Sequence, residues 1–508
     1  MNNKTAIKKL AGETAIYGMS TILARFINFL FLPLYTYYLS TSDYGVQTEF
    51  MAYIAMFQVL LVMGLETGCF RFANKDNNDP NVVFSNALVT VASLSSIFLL
   101  IMILFGQNIA TTMGYPDNYN IFIYIGVILS IDCTTAILFA RLRFEFKAWK
   151  FAILKTIKIL TEVGSNLLLF LWFPKFAMAN PDTFLLNFVS AKPDFSYPIF
   201  SIAVSCIVSL ILFLPDFFKF KFVLNKRIWI NLMKYSIPLM IAGLPGIMND
   251  FMDRILFRFF NVNQSLWRSD LGIFQAAVKI SVIMSLFVQM FRFAAEPFFF
   301  SRAKEKGSKE LYAVIMEYFV GFCMVVFLGI VFYIDFIELV VGKDFRVGMG
   351  VVPIMLLSYV MMGMLFNVSM WYKLSDKSHY AIIITLIGLV VTSVIDVIFL
   401  PIYSYWAAAW GHFFSFLCML VVSALLGNKY YKIPYNWGKI MTIIIPALVL
   451  FGLNFLLPSE MASWIKFIIR TFMVFFYVII VYGIERKGLS SFLMKPVVHT
   501  VKKDKNQK

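Results

Sequence analysis

Six of the basic residues inside the long apolar stretches of the chain are candidate functional residues, because a charged side chain is costly there. Arg25 comes 13 residues after Gly12, the predicted start of the first apolar helix, which is about 20 Å into a membrane at 1.5 Å per residue. Lys155 and Lys158 share one helical face with Glu162. The other basic candidates are Arg254, Lys279 and Arg292.

Cations at such positions can bind an anionic group such as a diphosphate, or they can form structural ion pairs. Arg25 is too deep to reach water easily, so it either contacts an anion in a central cavity or pairs with an acidic residue. Lys158 can pair with Glu162, one turn further along the helix. Arg292 and Glu296 have the same spacing. The spacing leaves both interpretations open for each residue.

Five acidic residues in the apolar stretches are candidates for binding a coupling ion, because buried or adjacent carboxylates take up a proton or Na⁺. Asp250 lies one turn before Arg254, and Glu66 lies close to Arg71, so each acid has an alternative role in an ion pair. The ion-coupling candidates are Glu66, Asp132, Asp250, Asp253 and Asp396. Of these, Asp132 and Asp396 have no charged neighbour in the sequence and lie near mid-membrane.

The elements that position these residues are predicted to be membrane-spanning helices. Of the 508 residues 60% are hydrophobic and 14% charged, against about a quarter charged in soluble domains. The apolar runs have the length of roughly 20 residues that a membrane crossing needs, and helix satisfies their backbone in lipid. The fourteen predicted helices are Gly12–Tyr38, Gln47–Arg71, Val82–Phe105, Tyr119–Ala140, Trp149–Phe173, Tyr197–Leu214, Ile228–Phe257, Leu271–Phe300, Leu311–Ile334, Gly348–Tyr372, Tyr380–Leu400, Tyr403–Leu426, Trp437–Leu457 and Trp464–Ile484.

The basic residues alternate between the two sets of loops that this map defines. Of the 44 Lys and Arg residues, 29 lie in the termini and every second loop, and 7 lie in the other loops. Because basic residues concentrate on the cytoplasmic side, both termini are predicted to be cytoplasmic. The net charge of +16 therefore reflects membrane topology, and no nucleic-acid partner is expected.

A weak internal repeat divides the helices into two sets of six. Asp43-Tyr44-Gly45-Val46 leads into the second helix, and Asp270-Leu271-Gly272-Ile273 leads into the eighth. We therefore expect an all-α membrane protein with one lobe in residues 1–216 and a second in residues 217–427. Residues 428–508 would add two helices and a basic cytoplasmic tail. Both copies start on the cytoplasmic side, so they are parallel repeats, as in transporters that expose a central cavity alternately to each side.

Other classes of protein fit the sequence less well. A membrane enzyme of glycan assembly would need catalytic groups in a large outer loop, and the outer loops here are short. A channel would need a filter motif, and none is visible. The five cysteines lie separately in apolar runs without metal-ligand spacing, so no cofactor is expected beyond H⁺ or Na⁺ as a coupling ion. The first apolar run is too long for a cleaved signal and is expected to stay as a helix.

Three stretches resemble the bacterial polysaccharide-biosynthesis flippases of the multidrug/oligosaccharidyl-lipid/polysaccharide exporter superfamily. The first runs from Thr14-Ala15-Ile16-Tyr17-Gly18 through Phe31-Leu32-Pro33-Leu34-Tyr35-Thr36 to Ser40-Thr41-Ser42-Asp43-Tyr44-Gly45. The second is Gly64-Leu65-Glu66-Thr67 with Arg71-Phe72, and the third is Arg292-Phe293-Ala294-Ala295-Glu296-Pro297-Phe298. The resemblance covers essentially the whole chain.

This resemblance implies transport of undecaprenyl-diphosphate-linked sugars from the cytoplasmic to the periplasmic leaflet of the inner membrane, for O-antigen, capsule or exopolysaccharide. Related flippases hold the diphosphate with arginines between the lobes, a role that Arg25 matches best and Arg292 and Arg254 match less well. The implied partners are the lipid-linked glycan, membrane lipids and polysaccharide polymerase machinery. A cation-coupled multidrug exporter of the same superfamily is the main alternative, and it would bind organic cations through acids such as Asp132, Asp250 or Asp396.

Overall fold

The structure of the chain is a computed structural model that describes residues 23, 26–75, 78–218, 222–303, 305–458 and 460–493, without the side chains of 218 and 485–493. Every long element in the described residues is a helix. The helices are α1 (26–38), α2 (Thr41–Ala73), α3 (Pro80–Thr112), α4 (Asn120–Phe144), α5 (Ala148–Ala179), α6 (Ser196–Phe218), α7 (Lys226–Phe260), α8 (Trp267–Arg302), α9 (Ser308–Phe332), α10 (Lys343–Leu374), α11 (Tyr380–Tyr403), α12 (Tyr405–Tyr430), α13 (Trp437–Asn454) and α14 (Ser463–Leu493).

The predicted all-helical membrane fold is confirmed. Twelve helices in the described part of the chain are long and apolar enough to cross a membrane. The other two are α1, whose described part is short, and α7, which carries polar residues and two prolines among its apolar ones. Each of the fourteen predicted helices corresponds to one of these helices, although the predicted stretch before residue 26 lies outside the described residues apart from Leu23.

Local side-chain and backbone chemistry sets several helix ends. The Ser40 hydroxyl accepts a hydrogen bond from the Asp43 amide at 3.0 Å, so α2 begins at Thr41 and not at the predicted Gln47. α2 is interrupted at Met63 and Gly64, which both have left-handed backbone angles. Only Ser404, with φ of 45°, separates α11 from α12, so the predicted boundary there is displaced by a few residues.

The packing of the helices repeats between the two halves of the chain. In the first half α6 packs along α4 and α5, and in the second half α12 packs along α10 and α11. α8 packs on α10 as α2 packs on α4. α13 and α14 pack against α9, outside this repeated set. We refer to helices α1–α6 as the first lobe and α7–α12 as the second lobe.

The two lobes meet where the sequence repeat is strongest. A Cβ atom added to Gly45 would lie 1.8 Å from the carbonyl oxygen of Arg268, and one added to Gly272 would lie 2.0 Å from the carbonyl oxygen of Thr41. Gly45 thus packs on Arg268, four residues before Gly272, and Gly272 packs on Thr41, four residues before Gly45. Such a reciprocal contact is what a two-fold relation between the lobes produces. The hydroxyls of Thr41 and Ser269 lie 2.7 Å apart beside it.

This glycine contact lies at one end of the helices. We call that end the opposite face, because its loops carry few Lys and Arg residues. The other end, where most Lys and Arg residues lie, is the basic face. At the opposite face the two lobes are in backbone contact and close the space between them.

Candidate functional site

The first lobe contains a buried ion pair that neutralises two of the predicted site residues. Lys158 Nζ of α5 donates to Asp132 Oδ1 of α4, and the Cys206 thiol donates to the same oxygen at 3.3 Å. The side chains of Lys158 and Asp132 are 15% and 21% exposed. Asp132 is therefore not a lone acid, and the partner of Lys158 is Asp132 and not Glu162.

Glu66 also has a partner that the sequence did not indicate. Its Oε2 lies 2.6 Å from Arg143 Nη2 at the end of α4. Arg71, the alternative partner, instead places its guanidinium 4.3 Å from the centre of the Tyr235 ring. Glu66 thus joins α2 to the end of α4 near the basic face.

Three predicted cations lack an ion-pair partner within the described part of the chain. Lys155 lies 5.1 Å from the centre of the Phe139 ring, and Arg254 lies 4.4 Å from the centre of the Phe251 ring. The Nε atom of Arg254 is buried without a hydrogen bond to a described residue. Lys279 of α8 experiences the charges of Glu162 from α5 and of Arg254 from α7. Helices of both lobes therefore bring charge to the same region.

The charge in this region is unbalanced toward positive. The charge of Glu162 interacts with the positive charges of Lys158, Lys279 and Lys155 and with the negative charge of Asp132. Three lysines and two carboxylates share the region, and Arg254 adds another positive charge. Unpaired cations are costly away from water, so the arrangement favours an anionic ligand. We call Lys155, Arg254 and Lys279 the central cations.

The polar stripe predicted on the fifth helix faces a cavity. The stripe residues Lys155, Lys158 and Glu162 line a cavity of about 130 Å³. α1 supplies Ile27, Asn28 and Phe31 on its other side. Arg25, the residue that the sequence analysis ranked first, lies outside the described residues.

The structure does not bring Arg292 to the central cations. It lies 13 residues beyond Lys279 on α8, which is about 20 Å along the helix. Its Nε is 3.6 Å from Glu296 Oε2, and its side chain is 56% exposed. Glu296 also accepts a hydrogen bond from Lys373 Nζ at 2.6 Å. Arg292 therefore belongs to a group nearer the basic face.

The second lobe buries two carboxylates beside a histidine. Asp253 of α7 is 1% exposed, Asp396 of α11 is 0% exposed, and His412 of α12 is 7% exposed. His412 Nε2 lies 3.4 Å from Asp253 Oδ2. Within the described part of the chain, both oxygens of Asp396 and Oδ1 of Asp253 accept no hydrogen bond. We call these three residues the buried acid cluster.

Neighbouring polar groups surround the buried acid cluster. Asn249 Oδ1 accepts from the hydroxyls of Thr392 at 2.8 Å and Ser415 at 2.9 Å. A Cβ on Gly411 would lie 2.8 Å from Asp396 Oδ1, so glycine leaves room for that carboxylate. Asp250, another predicted site residue, is exposed on α7 and its charge acts on His412. A buried carboxylate without donors requires a proton or a cation, so the cluster is suited to bind one.

A charged contact joins the lobes at the opposite face. Glu49 of α2 is fully buried, and its Oε1 lies 2.5 Å from Arg258 Nη1 of α7. The Tyr115 hydroxyl donates to Glu49 Oε2 at 2.6 Å. Burial and the nearby Glu49 charge raise the pKa of Tyr115, so this hydroxyl keeps its proton. Arg268 Nη2 donates to the Gly114 carbonyl at 3.2 Å.

We call Glu49, Tyr115, Arg258 and Arg268 the opposite-face latch. The sequence analysis missed Glu49, because it lies in the first apolar turns of α2, where no local pattern marks an interlobe contact. It also missed the role of His412, which lies 159 residues from Asp253. A polar side chain within an apolar helix was the available signal for both, although it does not identify the partner.

Twelve of the helices in the described part of the chain form two similarly packed halves with unpaired charges between them, and this arrangement defines a multi-pass membrane protein. The family described as polysaccharide biosynthesis protein matches residues 10–303, more than half of the chain, and the chain belongs to this family. The family membership predicted from the sequence is thereby confirmed. No curated protein matches the chain.

Solved structures share the fold at low sequence identity. The lipid II flippase MurJ in an inward closed conformation has a TM-score of 0.70 and 14% identity, and the match covers 93% of this chain and 99% of that one. MATE in complex with MaD3S has a TM-score of 0.56 and 13% identity, over 84% and 95%. A MOP superfamily transporter from Pyrococcus furiosus has a TM-score of 0.50 and 12% identity, over 84% and 97%. These similarities show the fold.

Proposed function

We propose that this chain is a flippase that carries a polyprenyl-diphosphate-linked oligosaccharide from the cytoplasmic to the outer leaflet of the bacterial inner membrane. The observation that carries the proposal is the set of central cations, Lys155, Arg254 and Lys279, which have no ion-pair partner in the described residues. Membership of the polysaccharide biosynthesis family supports a glycan as the cargo, for O-antigen, capsule or exopolysaccharide.

The charge of the cargo explains why the central cations are needed. A diphosphate cannot cross the hydrocarbon of a membrane unaided, because removing its water costs many kcal/mol. Cations supplied by both lobes replace that water with charge-assisted hydrogen bonds. The polyprenyl chain needs no such site, since it can remain in the lipid beside the lobes.

The closed opposite face supports transport by alternating access. The glycine contact and the opposite-face latch join the lobes at that end. The basic residues of the other end support a cytoplasmic location for the basic face and for both termini. We propose that the central cations receive the diphosphate from the basic face, after which the opposite-face contacts separate and release it.

We further propose that the buried acid cluster takes up the coupling ion. In the first lobe Lys158 neutralises the charge of the buried Asp132. In the second lobe His412 lies beside Asp253, and the oxygens of Asp396 accept no hydrogen bond from the described residues. A proton or Na⁺ would complete that charge balance. Exchange driven by a pH gradient at constant Na⁺, compared with a Na⁺ gradient at constant pH, distinguishes the two ions. A response to neither gradient would contradict the coupling proposal.

The proposed function is tested by following leaflet exchange of a fluorescent polyprenyl-diphosphate-linked glycan in liposomes containing the purified protein. We expect exchange above that of empty liposomes, and a loss of at least about tenfold in R254Q and in K279Q, because each removes one charge-assisted hydrogen bond. K432Q, which removes an exposed loop cation, serves as the matched control and should exchange normally.

The same vesicles test the alternative of a multidrug exporter. Absence of glycan exchange together with uptake of organic cations would favour that alternative, with the buried acid cluster as the binding site. Wild-type exchange rates in both R254Q and K279Q would remove the central cations from the mechanism. Both functions are transport functions, and the solved structures that share the fold are a flippase and transporters. Polymerase machinery is proposed as a partner that receives the exported glycan.

A further inference from the structure

An apolar pocket lies between the lobes, beside the opposite-face latch. It has a volume of about 510 Å³, within the about 300–1,000 Å³ of small-ligand sites. Helices α2, α3 and α4 of the first lobe form most of its wall, and the end of α7 completes the wall with Arg258 and Phe259. A ligand in this pocket would therefore contact both lobes.

The pocket extends from the opposite face to about mid-membrane. Thr112 lines it at the end of α3, and Phe98 lines it 14 residues earlier, which is about 21 Å along the helix. One leaflet of a bilayer has about 15 Å of hydrocarbon. At the deep end the rings of Phe98 and of Phe57 from α2 have their centres 5.1 Å apart. This depth fits one lipid chain that enters from the leaflet at the opposite face.

The lining of the pocket matches a hydrocarbon chain. Its described lining residues are apolar apart from two hydroxyls and one arginine. The Tyr53 hydroxyl donates to Glu49 Oε1 at 3.2 Å, and the Thr112 hydroxyl donates to the Asn108 carbonyl at 2.9 Å, so each hydroxyl already has an acceptor. Phe259 at the rim is 61% exposed, so the mouth of the pocket faces the surrounding lipid.

Two arginines at the mouth carry more positive charge than their acidic partner balances. Arg258 Nη1 lies 2.5 Å from Glu49 Oε1. Arg268 lies beside Arg258, because their guanidinium groups are 4.6 and 5.7 Å from the centre of the same Tyr115 ring. Arg268 donates to the Gly114 carbonyl, and its Nε is buried without a hydrogen bond to a described residue. Within the described part of the chain Arg268 forms no ion pair.

The other acids close in sequence do not cancel this charge. Asp270 accepts a hydrogen bond from Asn261 at 2.8 Å. Asp117 is the one acid of the segment 113–119, and its side chain is exposed to water, which screens its charge. The segment 261–266 contains no acid, and the structure describes both segments throughout. The mouth therefore suits an anionic group, and guanidinium groups match phosphate in particular.

We propose that the pocket binds an anionic phospholipid of the leaflet at the opposite face, with its phosphate on Arg258 and Arg268 and one acyl chain inside. A phospholipid is favoured over the cargo because the opposite face is closed, so a diphosphate at the central cations has no route to this leaflet. The lipid contacts both lobes only while they meet, and its binding therefore favours the closed form. This regulatory role rests on the proposed flippase function, whereas the lipid site itself does not.

Native mass spectrometry of the full-length protein in detergent, titrated with phosphatidylglycerol, tests the site. We expect one phosphatidylglycerol to bind at least about tenfold more tightly than phosphatidylcholine. R268Q should weaken its binding by about tenfold, the loss of one charge-assisted hydrogen bond, whereas R268K keeps the charge and should retain most of it. T112W, which fills the mouth, should also weaken binding. K175Q and T111W change exposed residues outside the lining and should bind as the wild type does.

Competitors separate the sources of the ligand. Equal binding of phosphatidylcholine would overturn the proposal in favour of a lipid chain without selection of its head group. Displacement of phosphatidylglycerol by a lower concentration of undecaprenyl phosphate would assign the pocket to the cargo instead. Displacement by inorganic phosphate would assign the two arginines to a free anion. Unchanged binding in both R268Q and T112W would place the lipid elsewhere on the protein.

The regulatory role is measured by labelling S269C with a membrane-impermeant maleimide, after the five native cysteines are replaced. Labelling should be about fivefold or more slower in nanodiscs that contain phosphatidylglycerol than in phosphatidylcholine nanodiscs, the size of a modest coupling between sites. T112W should abolish this difference, and T111W should keep it. Equal labelling of the parent S269C protein in both nanodiscs would refute stabilisation of the closed form by the lipid.

The liposome assay separates this inference from the proposed function. Binding of phosphatidylglycerol without glycan exchange by the wild type would refute the flippase and retain the lipid site. Glycan exchange by a protein that binds no phosphatidylglycerol would refute the lipid site and leave the flippase intact.

Discussion

At the scale of single residues, the two lobes treat their buried acids differently. Asp132 receives hydrogen bonds from Lys158 and Cys206, so its charge is compensated within the chain. Asp396 receives none from the described residues. A buried carboxylate without such donors costs free energy unless a proton or cation accompanies it, and on this ground we propose that Asp396 responds to the ion gradient across the membrane.

D396N is expected to remove the response of transport to the coupling-ion gradient while leaving the fold intact. The amide is neutral and has nearly the shape of the carboxylate, so the free energy of unfolding without the coupling ion should rise by about 1–3 kcal/mol. Leaflet exchange with and without the gradient, together with thermal unfolding, measures both effects. D117N changes an exposed loop acid and is the matched control. A retained gradient response in D396N would contradict the role of Asp396.

K158M should destabilise the first lobe, because it leaves Asp132 without its cation. Breaking a buried ion pair on one side costs about 3–5 kcal/mol, whereas the double variant D132N/K158M removes both charges and should recover most of that loss. Thermal unfolding in detergent, followed by tryptophan fluorescence, compares the two. A double variant less stable than K158M would show that the two residues do not form a compensating pair.

The sequence indicated which residue types were unusual but not which partners they contact. Lys155, Lys158 and Glu162 were placed on one face by helical spacing, and they do line one cavity. The partner of Glu66 is Arg143, 77 residues away, and no local spacing reveals such a pair. The buried acid cluster joins residues of three helices, and no local spacing reveals the contact of its histidine with Asp253, 159 residues away.

At the scale of elements, apolar length was sufficient to find the helices. The limits of hydropathy appear at α7. Its polar residues and prolines keep it out of the twelve described helices that are long and apolar enough to cross a membrane, although it forms one continuous helix from Lys226 to Phe260. Helix ends depended on caps that hydropathy does not register, such as Ser40 before α2. The polar positions of α7 are the ones that supply Asn249, Asp253 and Arg254 to the sites.

G45A is expected to open the opposite face. The added Cβ would overlap the Arg268 carbonyl, and overpacking costs about 1–3 kcal/mol, which corresponds to a shift of about 5- to 150-fold between closed and open forms. A cysteine placed at Ser269 should then react faster with a membrane-impermeant maleimide. G483A, where a Cβ meets nothing within 4 Å, is the control. Unchanged labelling in G45A would show that the glycine contact does not hold this face closed.

At the scale of the whole molecule, the internal repeat locates the contact between the two lobes. The tetrapeptides around Gly45 and Gly272 were recognisable in the sequence, and they form the reciprocal contact between the lobes. The contact itself could not be foreseen, because a weak repeat predicts two similar halves without predicting which surfaces meet. The central cations come from both halves, so the movement of one lobe relative to the other that we propose would change their access to each side.

The central claim is that the cargo crosses when the lobes separate at the opposite face. The hydroxyls of Thr41 and Ser269 are 2.7 Å apart, so cysteines at these positions are close enough to form a disulfide after the five native cysteines are replaced. Leaflet exchange of the fluorescent polyprenyl-diphosphate-linked glycan would be measured for T41C/S269C before and after reduction. We predict that exchange stops in the oxidised protein and returns on reduction. Exchange at the wild-type rate through fully cross-linked protein would contradict the account.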